Sequence, residues 1–130
     1  MNVAIIIPAL NPDERLIAYV SELQNAGQNH IIVVDDGSSS GKRPVFFRLH
    51  EMGCTVLRNA VNLGKGRTLK NTFNYCLTCS DFQTENDPEK RIGGVITVDS
   101  DGQHTVADVL EIQKALSENA DSLVLGVRDF

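Results

Sequence analysis

Asp99 and Asp101 stand two residues apart in Val98-Asp99-Ser100-Asp101-Gly102-Gln103-His104. On an extended chain, side chains two apart project the same way. Their carboxylates can share one hard divalent cation, Mg or Mn, which prefers oxygen ligands and keeps positions open for phosphates. Gly102 lets the backbone turn and Gln103 offers another oxygen, so Asp99, Asp101 and Gln103 form a candidate metal set. An isolated D-x-D is more often a solvated turn. Here it closes an apolar run, beside other acids in the same setting, and that context favours the metal.

Asp35-Asp36-Gly37-Ser38-Ser39 closes a second apolar run. Asp and Ser bond readily to local backbone N–H groups, so one role for these residues is to form a turn. Asp35 suits that part. The Asp36 carboxylate could form a turn too, or accept a hydrogen bond from the ring N–H of a pyrimidine or guanine. Asn62-Leu63-Gly64-Lys65-Gly66-Arg67 is a glycine-and-base loop entering a helical pattern. Backbone N–H groups and the positive end of a helix would make it a phosphate cradle; the alternative is a solvated helix start. It is not a Walker A motif. No G-x-G-x-x-G follows the first apolar run, which counts against a dinucleotide dehydrogenase. His104 adjoins the metal set as a supporting group or further ligand, whereas His30 and His50 read as structural or exposed. No Ser-His-Asp or Cys-His arrangement follows from the spacing.

The elements that must position these residues are short and alternate in type. Apolar runs at residues 3–7, 31–34, 95–98 and 123–125, and a weaker one at 55–57, do not alternate with polar residues. That pattern suits strands buried on both faces of a parallel sheet. Between them lie helical stripes: Leu16, Val20 and Leu23, with Pro12 at the first helical position; Val45, Leu49 and Met52, ended by Gly53; Leu69, Phe73, Cys76 and Leu77; and Val106, Val109, Leu110, Gln113 and Leu116. Thr105 and Asp108 suggest a capping box for the last. The order predicts a three-layer α/β sandwich with a mainly parallel, Rossmann-like sheet. Ligands bind such sheets beyond the carboxyl ends of the strands, and charged groups follow four of the five expected strands.

Composition narrows the field. The 130 residues amount to one domain, with 42% hydrophobic and 22% charged residues and a net charge of -5. That balance offers no broad basic surface for nucleic acid. Three cysteines, Cys54, Cys76 and Cys79, argue against a disulfide framework and fit a reducing, cytoplasmic compartment. Cys76 and Cys79 form a C-x-x-C on the same helical face as Phe73 and Leu77, which reads as packing rather than chemistry. No apolar run approaches the ~20 residues that span a membrane. Residues 80–91 are polar and read as a long loop.

Taken together, Ile5-Ile6-Ile7-Pro8-Ala9-Leu10-Asn11, Val33-Val34-Asp35-Asp36-Gly37-Ser38-Ser39, Asn62-Leu63-Gly64-Lys65-Gly66, Val98 to His104, and Leu125-Gly126-Val127-Arg128 resemble family 2 of the inverting glycosyltransferases with the GT-A fold. This family includes dolichyl-phosphate mannose synthase and bacterial polyprenyl-phosphate glycosyltransferases. The resemblance covers essentially the whole chain. It implies transfer of a sugar from a UDP- or GDP-sugar, with inversion, to a polyprenyl phosphate or glycan acceptor. It also implies roles: Pro8, Ala9 and Asn11 border the nucleotide, Asp36 reads the base and Lys65 lies near the nucleotide. Asp99 supports ribose or metal, Asp101 and Gln103 ligate Mg or Mn, and Arg128 meets the diphosphate or acceptor. Asp101 and Arg128 are then the catalytic pair. Two positions depart from the family pattern. Leu10 stands where Tyr is usual, and Pro12 stands where an acid is common, so Asp13 or Glu14 takes that place.

Two other families carry similar acidic motifs. Asp99-Ser100-Asp101-Gly102 also resembles the D-x-D-G of haloacid-dehalogenase-type phosphatases, but that motif opens its domain and is followed by a distant Lys and further acids. A response-regulator receiver places its acidic pair after the first strand, not the second. A domain that binds a nucleotide sugar without turnover is a further alternative. The sequence leads to the expectation of a donor-binding domain, residues 1–130, that stops before an acceptor-binding half. Self-association and weak catalysis by the chain alone follow from that expectation. Contact with the inner face of a membrane would then come through regions outside this chain.

Overall fold

A computed structural model describes residues 2–78, 92–100 and 105–118. The chain runs β1 (Asn2–Ala9), α1 (Glu14–Asn25), β2 (Ile31–Asp36), α2 (Arg43–Glu51), β3 (Thr55–Asn59), α3 (Lys65–Thr78), β4 (Ile92–Thr97) and α4 (Val106–Glu118). The four strands form one parallel sheet in the order β3-β2-β1-β4. Residues 80–91, Cys79 and the strand expected at 123–125 lie outside the described residues.

The apolar run of β1 is explained by its place at the centre of the sheet. Val3, Ile5, Ile7 and Ala9 face one layer, where they pack with Leu16, Val20 and Leu23 of α1, Leu49 of α2 and Val109 of α4. Ala4 and Ile6 face the other layer, with Ile32, Val34 and Cys76 of α3. A strand covered on both sides needs apolar residues at successive positions. The edge strand β3 is only half-buried, and its sequence signal is correspondingly weak. The α/β sandwich expected from the sequence is therefore observed, with α1, α2 and α4 on one face and α3 on the other.

Several local expectations change. Helix α1 starts at Glu14 rather than Pro12, because Asp13 caps it: the Asp13 carboxylate accepts from the Arg15 N–H at 2.9 Å. In α2, Phe46 and Leu49 carry the burial, while Val45 and Met52 are half-buried. Helix α3 buries Thr68, Thr72 and Cys76, and Phe73 is 41% exposed. The small side chains at i, i+4 and i+8 make a stripe that meets the sheet. Their hydroxyls are satisfied there, since Thr72 Oγ1 donates to the Thr68 carbonyl and Thr68 Oγ1 accepts from the Asn59 amide. In α4, Leu110 is exposed, whereas Gln113 accepts from the Gln28 amide at 2.6 Å.

Other expectations hold. Thr105 and Asp108 exchange two hydrogen bonds at 3.2 Å, the expected capping box. Cys54 and Cys76 are buried thiols. Burial pushes the Cys54 thiol up to about 11, which keeps it unreactive. Among the described residues, no helix is long and apolar enough to cross a membrane.

The packing makes a direct test of which helical residues carry stability. Leu49→Ala should lose about 2–5 kcal/mol in urea unfolding, as large-to-small core changes do. Phe73→Ala should stay within about 0.5 kcal/mol of the parent, as exposed positions do. Equal losses would mean that α3 buries the Phe73 face.

Candidate functional site

In the order β3-β2-β1-β4, the chain steps outward from β1 in one direction and then crosses to place β4 on the other side. The carboxyl ends of β1 and β4 thus flank the point where strand order reverses, the place where open α/β sheets bind ligands. A cleft of about 360 Å³ opens there. Pro8, Ala9 and Leu10 line it from the end of β1, Asp36 from β2, Asn62, Gly64 and Lys65 from the entry to α3, and Asp99 and Ser100 from the end of β4.

Asp36 is a heavily bonded group in this cleft. It is 5% exposed. Its Oδ1 accepts from the Asn59 side-chain amide at 2.9 Å and from the Leu63 N–H at 2.8 Å, and its Oδ2 accepts from the Gly64 N–H at 3.1 Å. Burial alone pushes this carboxyl up. The donors at Leu63, Asn59, Thr68 and Gly64 together outweigh it and hold the group below the usual carboxylate range. The Asn59 amide also donates to Thr68 Oγ1 at 2.9 Å. One carboxylate therefore fixes the end of β3, the loop before α3 and the first turn of α3.

Asp35 takes the turn-forming part, its Oδ1 accepting from the Ser38 N–H at 2.8 Å. Gly37 follows with φ 79°, and a Cβ there would lie 2.4 Å from the Asn62 nitrogen. Only glycine tolerates both the left-handed backbone and this approach of two main chains. Asn11, at φ 49°, clamps the neighbouring loops. Its Oδ1 accepts from the Ser39 N–H at 2.9 Å and its own N–H donates to Ser38 Oγ at 2.8 Å. Asn is among the residues that enter the left-handed region at modest cost.

Lys65 opens α3, and its ammonium pairs with Oδ1 of Asp99, which is 9% exposed. Arg67, in the same turn, is exposed. The dipole of α3, Lys65 and Arg67 put positive potential at this end of the cleft.

The sequence-derived residues thus separate into groups. Pro8, Ala9, Asp36, Lys65 and Asp99 come together in one cleft. Asn11 lies beside it and braces two of its loops. Asp13 does not line it; the carboxylate is committed to capping α1 and to Arg15 Nη2 at 3.0 Å, and Arg15 holds it below its ordinary value. Asp101, Gln103, His104 and Arg128 lie outside the described residues. Among the described residues, no three His, Cys, Asp or Glu side chains cluster as a metal centre. Asn59 is absent from the sequence-derived residues, and Asn62 and Gly37 enter there only as parts of their motifs. Asn59 is the polar group that ends β3, so applying the strand-end rule to the weakest strand would have found it.

The family model for glycosyl transferase family 2 matches residues 4–130. The chain belongs to glycosyl transferase family 2. Membership sets aside the phosphatase and receiver readings. Among curated proteins, Uncharacterized protein MJ0544 of Methanocaldococcus jannaschii is 23% identical over 128 residues, covering 96% of this chain and 51% of that protein. Uncharacterized protein MJ1222 of the same organism is 26% identical over 127 residues, covering 98% of this chain and 46% of that protein. The chain thus spans about half the length of these relatives. No solved structure matches it.

The Asp36 network of this family 2 domain contributes to its acid stability. A carboxyl held below its unfolded value of about 3.9 stabilises the fold above that pH. The contribution is lost as pH falls through the folded value. Asp36→Asn should cost about 1–3 kcal/mol at pH 7, and the gap to the parent should narrow below about pH 4. Urea unfolding across that range checks both. Gly37→Ala should also destabilise the fold, by about 1–3 kcal/mol or more, because strain and a main-chain clash add.

Proposed function

We propose that this domain binds a nucleotide-diphospho-sugar, with a UDP or GDP leaving group, and delivers the sugar with inversion to an acceptor that is a polyprenyl phosphate or a glycan. The observation that carries the reading is the convergence of Asp36, Lys65 and Asp99 in one cleft at the reversal of strand order. Family membership supports the reaction class.

The cleft divides by chemistry. An ionised carboxylate is an acceptor only, and Asp36 lines the cleft, where a ring N–H of the base would meet it. Pro8, Ala9 and Leu10 give that region an apolar wall, with Leu10 45% exposed and free to cover a base. The α3 N-terminus and Lys65 supply positive potential for the diphosphate. Asn11 contributes by holding the Ser38-Ser39 turn against the end of β1. Asp13 caps α1.

Mg or Mn fits this site on the donor chemistry: Asp99 is a buried carboxylate at a strand end that already attracts a cation. Asp99, Asp101 and Gln103 would hold the metal. When bound, it supplies positive charge where the leaving diphosphate becomes more anionic. The acceptor oxygen attacks the anomeric carbon and the nucleoside diphosphate departs from the opposite face. Lys65 and Arg128 then add charge stabilisation on the leaving side. A phosphate acceptor is already anionic and needs no general base; a hydroxyl acceptor would need one.

In a thermal-shift assay, UDP or GDP should raise the melting temperature when Mn or Mg is present. Ligand at ~100 times its dissociation constant adds ~2.7 kcal/mol. Asp101→Ala should abolish this shift, and equal stabilisation in EDTA would exclude a metal bridge. Asp36→Ala, compared at a temperature where it remains folded, should weaken nucleotide binding by about 1–3 kcal/mol, the cost of an unpaired buried donor or acceptor. Unchanged affinity would restrict Asp36 to its loop-holding part.

A further inference from the structure

Helix α3 opens with Lys65 and carries Arg67 two residues on, with no acid in its first turn. Cations at that end oppose the helix dipole, so Lys65 sits poorly there unless an anion meets it. The anion it meets is Asp99, 34 residues along the chain at the end of a different strand. The two partners are not equally fixed. The Asp99 side chain is 12% exposed, whereas that of Lys65 is 55% exposed and ends a flexible four-carbon stem. A carboxylate that far from water needs a counter-charge, and Lys65 is the member free to leave.

Resting on the reading that Asp99 belongs to a metal site, we infer that Lys65 is the counter-cation of Asp99 in the nucleotide-free domain and fills the position of the divalent ion. In the same pairing Asp99 stands in, towards Lys65, for the diphosphate. Arrival of a nucleotide diphosphate gives Lys65 another anion and frees Asp99 for the metal. The exchange replaces one ion pair by two and leaves neither charge uncompensated. Metal and nucleotide binding are thereby coupled through Lys65, and the coupling is reciprocal. Lys65 is on this inference a positioning residue that keeps the divalent ion from binding productively ahead of the nucleotide.

The test is a Mn²⁺ titration of the 130-residue chain, reading the free aquo ion by electron paramagnetic resonance, with and without UDP or GDP. Lys65→Met should bind Mn²⁺ without nucleotide about ten-fold or more tightly than the parent, because a like charge next to the site has gone. It should also lose most of the increase that nucleotide gives the parent. Lys65→Arg, which keeps the charge, should stay close to the parent. Lys70→Met makes the same charge change outside the cleft and should not reproduce the effect, and adding Asp99→Asn to Lys65→Met should abolish it. Equal nucleotide-free affinity in parent and Lys65→Met, with nucleotide still raising Mn²⁺ binding in both, would overturn the inference and leave the proposed function standing. An equal gain in Lys70→Met would overturn it as a general charge effect. No Mn²⁺ binding in any form, with or without nucleotide, would remove the metal reading and the inference with it.

Discussion

The hydrogen bonds converging on the Asp36 carboxylate organise this end of the molecule. A buried carboxylate is expensive to desolvate, and it is retained because three donors from two separate segments reach it. Two are main-chain N–H groups of the loop that enters α3, and the third is the side chain of Asn59 at the end of β3. Those N–H groups have no helical acceptor of their own, since the start of a helix leaves its donors unpaired. Asp36 satisfies the loop leading into that start from the end of a neighbouring strand. The position of α3, and with it the reach of Lys65 to Asp99, follows from this attachment.

The same attachment explains the glycine and the clamp beside it. Drawing the Asn62-Leu63-Gly64 loop onto Asp36 brings its main chain against Gly37, where no Cβ fits. The turn after β2 is then stabilised from the opposite side by Asn11, which bonds Ser38 and Ser39 from the end of β1. The ends of β1, β2 and β3 and the start of α3 are joined mostly by polar bonds, above a core that is almost wholly apolar. Binding surfaces are commonly built this way, from irregular segments carried on a rigid sheet.

Electrostatically the cleft balances itself. It sets the positive end of a helix and a lysine against two aspartates on strand ends, in a chain whose overall charge is negative. A site for an anionic ligand and a cation needs both signs close together, and the net charge of the domain says little about it. The curated relatives it matches are about twice as long.

The sequence alone determined the sheet. Ile5 to Ile7 and Ile31 to Val34 are apolar at successive positions because both faces of β1 and β2 are covered, and that pattern survives in one dimension. It also marked Asp36 and Asp99, since groups at strand ends share one rim whatever the details of packing, and Lys65, through the glycine-and-base loop that enters α3. Tertiary structure decided which neighbours those groups have. Asn59 and Asp36 are 23 residues apart in sequence and meet only because β3 lies beside β2. Phe73 fits a helical stripe as well as Thr72 does, and the choice between them depended on how α3 is rotated on the sheet, which Asp36 and Asn59 set through Thr68. Asp13 could serve a ligand or a helix, and the observed start of α1 assigned it to the helix. Periodicity records which side of an element is covered; it does not record what covers it, because that depends on contacts made across long stretches of chain.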